Sequence, residues 1–223
     1  LLDKGADVDR ARKNGQTPLY IACAEGHVDV ARLLLDKSAE IDRADQYGYT
    51  PLFVACHNDH REAARLLLEK GAAVDRARNN GWTPLFIACQ AGRVDVARML
   101  LEKGAAVDLA KEDGPVPLYI ACSNGHVDAV RLLLDKGAAV DRADKDGATP
   151  LYIACENGRV DVARLLLDKG AAVDRAQENG MTPLYIACVA GRVDAALLLL
   201  DNGAEVDRAD KYGFTPMSIA KTR

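Results

Sequence analysis

A 33-residue period constrains this chain more than any other feature. Thr-Pro-Leu begins at Thr17, Thr50, Thr83, Thr149 and Thr182, and Val116-Pro117-Leu118 and Thr215-Pro216-Met217 fall in the same register. A fixed period of this length marks repeat architectures, where no unit can bury its own apolar face and neighbours must do it. Full units run 17–49, 50–82, 83–115, 116–148, 149–181 and 182–214. Residues 1–16 read as the tail of an earlier unit and 215–223 as the head of a later one, so one domain over 1–223 is expected. Apolar residues make up 49% of the chain, enough for a core, yet only 5% are aromatic, so that core must be built in thin layers of Ala, Val and Leu.

Each unit reads as two short helices and a turn. Thr17 suits an N-cap, because its hydroxyl can accept from a first-turn amide. Pro18 suits the first helical position, where a missing N–H costs nothing. Leu19, Ile21 and Ala22 are expected to face inward. Gly26 ends the helix, and Val28 to Lys37 restarts it with Val30, Ala31, Leu34 and Leu35 as an apolar stripe. Ser38 closes that helix where later units have Gly71, Gly104, Gly137, Gly170 and Gly203. An extended piece, Glu40-Ile41-Asp42, then leads to a tip at Gly48. All 18 glycines fall in three slots of this scheme, as expected if unusual backbone angles recur there.

Thr17-Pro18-Leu19-Tyr20-Ile21-Ala22, Gly26-His27, Leu33-Leu34-Leu35 and Gly71-Ala72 resemble the ankyrin repeat, whose period is 33 and whose signature is T-P-L-H-x-A. The resemblance covers the whole chain. It implies an all-α solenoid of stacked helix-turn-helix units with short β-hairpin loops. One departure is systematic: the family's His is Tyr20, Phe53, Phe86, Tyr119, Tyr152, Tyr185 and finally Ser218. Since Tyr and Phe alternate, the ring is read as packing between units and the hydroxyl as dispensable. The resemblance also implies protein–protein interaction through a concave groove of hairpins and first helices, with another protein as partner and a monomeric chain. Layers roughly 10 Å apart would give six units a span of about 60 Å, ample for an interface of about 800 Å² per partner.

Comparing the units with one another isolates two slots that change in every copy. The slot before Thr holds Gln16, Tyr49, Trp82, Pro115, Ala148, Met181 and Phe214, and the end of helix one holds Ala24, His57, Gln90, Ser123, Glu156 and Val189. Drift at exposed positions is one reading. The outer face of helix two should be equally exposed, yet it keeps Arg32, Arg65, Arg98, Arg131 and Arg164. That contrast favours diversification for recognition. Interface energy concentrates in Trp, Tyr and Arg. The candidate partner-binding residues are therefore Tyr47, Tyr49, His57, Trp82, Gln90, Ser123 and Glu156, with Met181, Tyr212 and Phe214 as a second apolar group. Phe214 has a competing role, covering the last layer. Trp82 is expected to be solvent-exposed in the free protein.

The remaining chemistry argues against other functions. The formal net charge is −4 with no basic block, unsuited to nucleic acid. The longest apolar run, Leu184 to Ala190, is far short of the roughly 20 residues a membrane helix needs. Cys23, Cys56, Cys89, Cys122, Cys155 and Cys188 occupy one slot and should sit one layer apart, beyond the roughly 7 Å limit for a disulfide. Unpaired thiols suit a reducing, intracellular compartment, cytoplasmic or nuclear. His27, His60 and His126 share a slot with Arg93, Arg159 and Arg192, and an arginine cannot ligate a metal. No zinc spacing, nucleotide loop or nucleophile motif occurs. No cofactor, metal or catalysis is expected. Asp9, Asp42, Asp75, Asp108, Asp141, Asp174 and Asp207 also share a slot, read as turn hydrogen bonding because carboxylates a layer apart cannot converge on one calcium ion.

Two irregularities stand out. Leu109, Pro115 and Val116 break the pattern together, read as decay of one unit, with a local apolar binding patch as the alternative. Leu1 and Leu2 match the buried Leu34 and Leu35 but lack their own helix one, so the natural chain is expected to extend N-terminally. Two rivals to the interaction module remain: the recruiting arm of a larger enzyme, and a structural spacer or anchor.

Overall fold

The computed structural model describes residues 7–110 and 114–220. Leu1, Leu2 and residues 111–113 lie outside that range, and with them the expected burial of the first two leucines and part of the 109–116 irregularity. The described residues form thirteen helices and no strand. Contacts divide the chain into two compact units, 1–111 and 112–223.

In the first unit, helices alternate as the repeat requires: α1 (Pro18–Ala24), α2 (Val28–Asp36), α3 (Pro51–His57), α4 (Arg61–Glu69), α5 (Pro84–Gln90) and α6 (Val94–Glu102). Each first helix packs on its own second helix and on the next first helix, so α1, α3 and α5 form one layer and α2, α4 and α6 another. The layer between them is made of small and branched residues. Leu19, Leu52 and Leu85 are fully buried, as are Cys23, Cys56 and Cys89, and so are Leu67 and Leu100 on the second helices. The second unit repeats the scheme with α7 (Pro117–Asn124), α8 (Val127–Asp135), α9 (Pro150–Glu156), α10 (Val160–Asp168), α11 (Pro183–Val189), α12 (Val193–Asp201) and a last short helix, α13 (Pro216–Ala220). There α7, α9, α11 and α13 pack in sequence, as do α8, α10 and α12.

Local chemistry sets these boundaries. Thr17 is extended, and its Oγ1 accepts from the Tyr20 amide at 3.1 Å. Thr50, Thr83, Thr149 and Thr182 do the same for Phe53, Phe86, Tyr152 and Tyr185. Val116 adopts the same backbone (φ −85°, ψ 166°) without a side-chain cap bond, and is buried. Its methyls fill the Thr pocket and leave a first-turn amide without its usual partner. Gly26 is left-handed at φ 72°, and Ser38 and Asp59, at φ 66° and 62°, follow the glycines they replace into that region.

Three expectations change. Val30 is 49% exposed, whereas its equivalents Ala63 and Val96 are fully buried. The same holds more mildly for Ile21, half-buried where Val54 and Ile87 are buried. The periodicity is right, but α1 and α2 have described neighbours on one side only. Glu40-Ile41-Asp42 is not extended: the Arg43 amide donates to the Glu40 carbonyl at 3.3 Å and closes a turn. The loops are hairpin-shaped turns without β-ladders. Asp45 donates through its amide to Tyr49 O at 3.0 Å, while its Oδ1 accepts from the Tyr47 and Tyr49 amides at 2.9 and 3.0 Å. The side chain thus takes two amides that a strand ladder would need.

Candidate functional site

Within each unit, neighbouring repeats are pinned together through their hairpins. Asp42 accepts from the Ala73 amide on both carboxylate oxygens, at 3.2 and 3.1 Å, and Asp9 and Asp75 do so for Glu40 and Ala106. In the second unit Asp141 and Asp174 hold Ala172 and Glu205. The acidic series is therefore a hydrogen-bonding element, but it acts between repeats rather than within one turn. The hairpin tips add a backbone link, Asn79 N–H to Tyr47 O at 3.2 Å in the first unit and Lys211 N–H to Asn179 O at 2.9 Å in the second. Gly48 is left-handed (φ 85°) and lies so close to the next tip that a Cβ there would sit 2.7 Å from the Asn79 amide nitrogen.

The slot after the helix-one turn has a similar task. His60 Nε2 lies 2.9 Å from the Ala24 carbonyl. Arg159 and Arg192 donate through Nε to the carbonyls of Ser123 and Glu156 at 3.2 and 3.0 Å. His and Arg interchange because either can donate to that oxygen. The acceptors are the very residues that vary at the end of helix one. Their backbones are held by the framework, which leaves their side chains free to change.

At the hairpin edge of the first unit the candidate residues gather around one cation. Tyr49 meets Phe53 edge-on, with centroids 5.1 Å apart, and Tyr47 meets Tyr49 at 6.5 Å. Trp82 stacks on Phe86 at 5.0 Å, inclined by 24°. Between them lies Arg78, its Cζ 4.4 Å from the Tyr49 ring centre and 5.3 Å from that of Trp82. Sequence comparison missed Arg78 because it sits in a slot that also holds Asp, Lys and Gln. Trp82 is half-buried, not the open indole expected, because Phe86 and Arg78 cover its faces. Tyr47 is exposed, as is His57 at the end of α3, and Gln90 is half-buried.

In the second unit the candidates are more dispersed. Ser123 Oγ accepts from Asn157 Nδ2 at 3.2 Å. Glu156 is half-buried. Met181 sulfur lies 3.9 Å from the Tyr152 hydroxyl, which donates to it. Tyr212 and Phe214 are 69% and 53% exposed, and Lys211 Nζ stands 5.0 Å over the Tyr212 ring. Phe214 is thus not absorbed into the core.

The ring slot carries a second signal. Twenty-five residues after Tyr20, Phe53, Phe86, Tyr119, Tyr152 and Tyr185 stand Asp45, Arg78, Lys111, Asp144, Gln177 and Asp210. The Tyr185 hydroxyl donates to Asp210 Oδ2 at 3.1 Å, and Tyr119 hydrogen-bonds Asp144. Burial and that carboxylate together push the Tyr119 hydroxyl pKa well up. Burial opposes the charge of Asp210, but donation from Phe214, Tyr212 and Tyr185 outweighs it and holds the carboxyl below its usual range. By sequence, Phe53 and Phe86 are followed 25 residues later by Arg78 and Lys111, cations that cannot accept from a hydroxyl. At Tyr119 and Tyr185, therefore, the hydroxyl has a carboxylate to bond and is more than a packing ring.

The cysteines sit in the packed layer. Burial pushes the thiols of Cys23, Cys89 and Cys155 up to about 12, so almost none is thiolate near neutrality. Only Cys188 is half-buried. No described helix is long and apolar enough to cross a membrane.

These features define a helix–turn–helix repeat protein whose variable side chains stand on a framework of inter-repeat hydrogen bonds. The chain belongs to the ankyrin repeat family: the family model, three repeats long, matches residues 1–78, 42–111, 104–177 and 173–222. The human ASB11 ankyrin repeat domain has a similar structure, with a TM-score of 0.85, 33% sequence identity and 92% of each chain covered. No match was found among curated proteins. Ankyrin repeats are in general protein–protein interaction modules, and their fold serves as a non-catalytic scaffold.

Proposed function

We propose that this chain, as a monomer, binds a partner protein on its hairpin edge and the ends of its first helices, and that the first unit supplies the principal anchors. The observation that carries this is the Tyr49–Arg78–Trp82 stack, a rigid aromatic and cationic group at slots that vary from copy to copy. Tyr, Trp and Arg are the residues in which binding energy concentrates, and side chains already held in a stack lose little entropy on docking. The exposed Tyr47 and His57 and the half-buried Gln90 extend the same surface. Ser123, Glu156, Met181, Tyr212 and Phe214 are the corresponding positions of the second unit. The stack also limits how much of the variation is recognition, since the aromatic residues Tyr49 and Trp82 coincide with Phe rather than Tyr four residues later.

The outer face supports the assignment by contrast. Arg65 and Arg98 are exposed there, Arg65 lies 3.6 Å from Glu62, and Arg61 pairs with Asp95. The test is a cross-linking pull-down followed by affinity measurement on the captured partner. Trp82→Ala is expected to weaken binding by about 2 kcal/mol or more, while Arg98→Ala leaves it unchanged. Equal losses contradict the assignment.

A further inference from the structure

Among the described residues, the Arg78 guanidinium has no acceptor. Its flat group is held between the rings of Tyr49 and Trp82, its Nε is buried without a hydrogen-bond partner, and no described carboxylate pairs with it. Asp45, in the preceding hairpin, is already engaged: its carboxylate accepts the Tyr47 and Tyr49 amides. The same is true of Asp42 and Asp75, which hold the next repeat's backbone. Asp42, Asp45 and Asp75 thus hold amides, and the exposed Glu40 pairs with Arg43 at 3.5 Å, while Arg10, Arg12, Lys13 and Arg76 are exposed. The chain is net acidic, yet these described hairpins offer cations to solvent while Glu40, Asp42, Asp45 and Asp75 are engaged within the chain.

We propose that Arg78 is a carboxylate-recognition residue and that the partner segment docking on this edge carries an Asp or Glu beside an apolar side chain. This rests on the hairpin edge being the binding surface, and names the chemistry of what binds there. A guanidinium fixed between aromatic rings matches the two oxygens of a carboxylate, and its orientation is set before the partner arrives. Lysine would keep the charge but lose both the planar fork and the stack. The neighbouring Tyr47 and Trp82 provide the apolar contact, and the exposed cations on the rim would raise the association rate with an acidic segment.

The test selects binders from a random 12-residue displayed peptide library on the immobilised full-length chain, then measures their affinity for wild type, Arg78→Gln, Arg78→Lys and Arg98→Gln. Thermal melts of each variant are recorded alongside. The expected result is enrichment of one acidic position next to an apolar one, a loss of tenfold or more with Arg78→Gln, a smaller loss with Arg78→Lys, and less than a twofold change with Arg98→Gln. Affinity should fall with added salt for wild type and less steeply for Arg78→Gln. Peptides that bind wild type and Arg78→Gln equally overturn the proposal, whatever their sequence. If such peptides are still lost with Tyr47→Ala or Trp82→Ala, the hairpin edge remains the binding surface and only the carboxylate assignment falls. If binding instead depends on Arg98, or no peptide is enriched, both readings fall.

Discussion

Tyr185 and Tyr152 occupy one slot and differ only in what their hydroxyls meet. Tyr185 donates to the buried carboxylate of Asp210 at 3.1 Å, Tyr152 to the soft sulfur of Met181 at 3.9 Å. Removing a donor from a buried charged acceptor costs more than removing one from a thioether. Tyr185→Phe is therefore expected to lower unfolding stability by about 1 kcal/mol, and Tyr152→Phe by less than about 0.5, measured by urea denaturation. The Asp210 carboxylate, held below its usual range, has a matching pH signature. Its stabilising effect is present above the ordinary carboxylate pKa and is lost as pH falls through the depressed one. The acid limb of a thermal-stability profile should therefore move in Asp210→Asn. The thiols give a third residue-scale outcome. Iodoacetamide on the native protein at pH 8 should label Cys188 first, since it alone is half-buried, and reach the other five only on unfolding. Uniform labelling of all six would contradict the packed layer described above.

At the scale of one helix, capping and handedness decide. Val116 keeps the backbone of a cap and lacks its oxygen, so Val116→Thr should raise stability by about 1 kcal/mol. Partner binding unchanged by that substitution would mark the irregularity as decay, and a weakened one would mark an apolar patch. Ser38 is left-handed at φ 66°, in a slot where the equivalent Gly71 and Gly104 have nothing within 4 Å, so its strain is purely local. Ser38→Gly should gain about 0.5–1 kcal/mol, the left-handed penalty less the added freedom of the unfolded chain. Asp59→Gly should gain less, because Asp59 pairs with Arg61 and Arg93 at 3.3 and 3.6 Å. The helices and their ends were readable from Thr-Pro, Gly and the apolar spacing, because each depends on residues a few positions apart. What was not readable depends on partners 25 to 36 residues away. The Asp series looked like turn chemistry and proved to be an inter-repeat tie. The His/Arg slot offered only the reading that an Arg substitute cannot ligate a metal, and its carbonyl partner belongs to the preceding repeat. Arg78 drew no notice because its slot looks merely polar until folding brings it between two rings.

Across the whole chain, a framework repeated with little change carries side chains that do not repeat. Backbone ties fix one hairpin to the next through Asp9, Asp42 and Asp75 in the first unit and Asp141 and Asp174 in the second. The variable residues therefore differ in chemistry without a change of scaffold, as a family of interaction modules requires. The proposed binding surface is the hairpin edge of the first unit, where the aromatic stack and the exposed cations coincide. Hydrogen–deuterium exchange of the free chain against the chain saturated with its captured partner tests this most directly. The expected result is added protection at the amides of residues 45–49 and 78–82, with α4 and α6 exchanging as before. Protection concentrated on α4 and α6, with those hairpins unchanged, would contradict it.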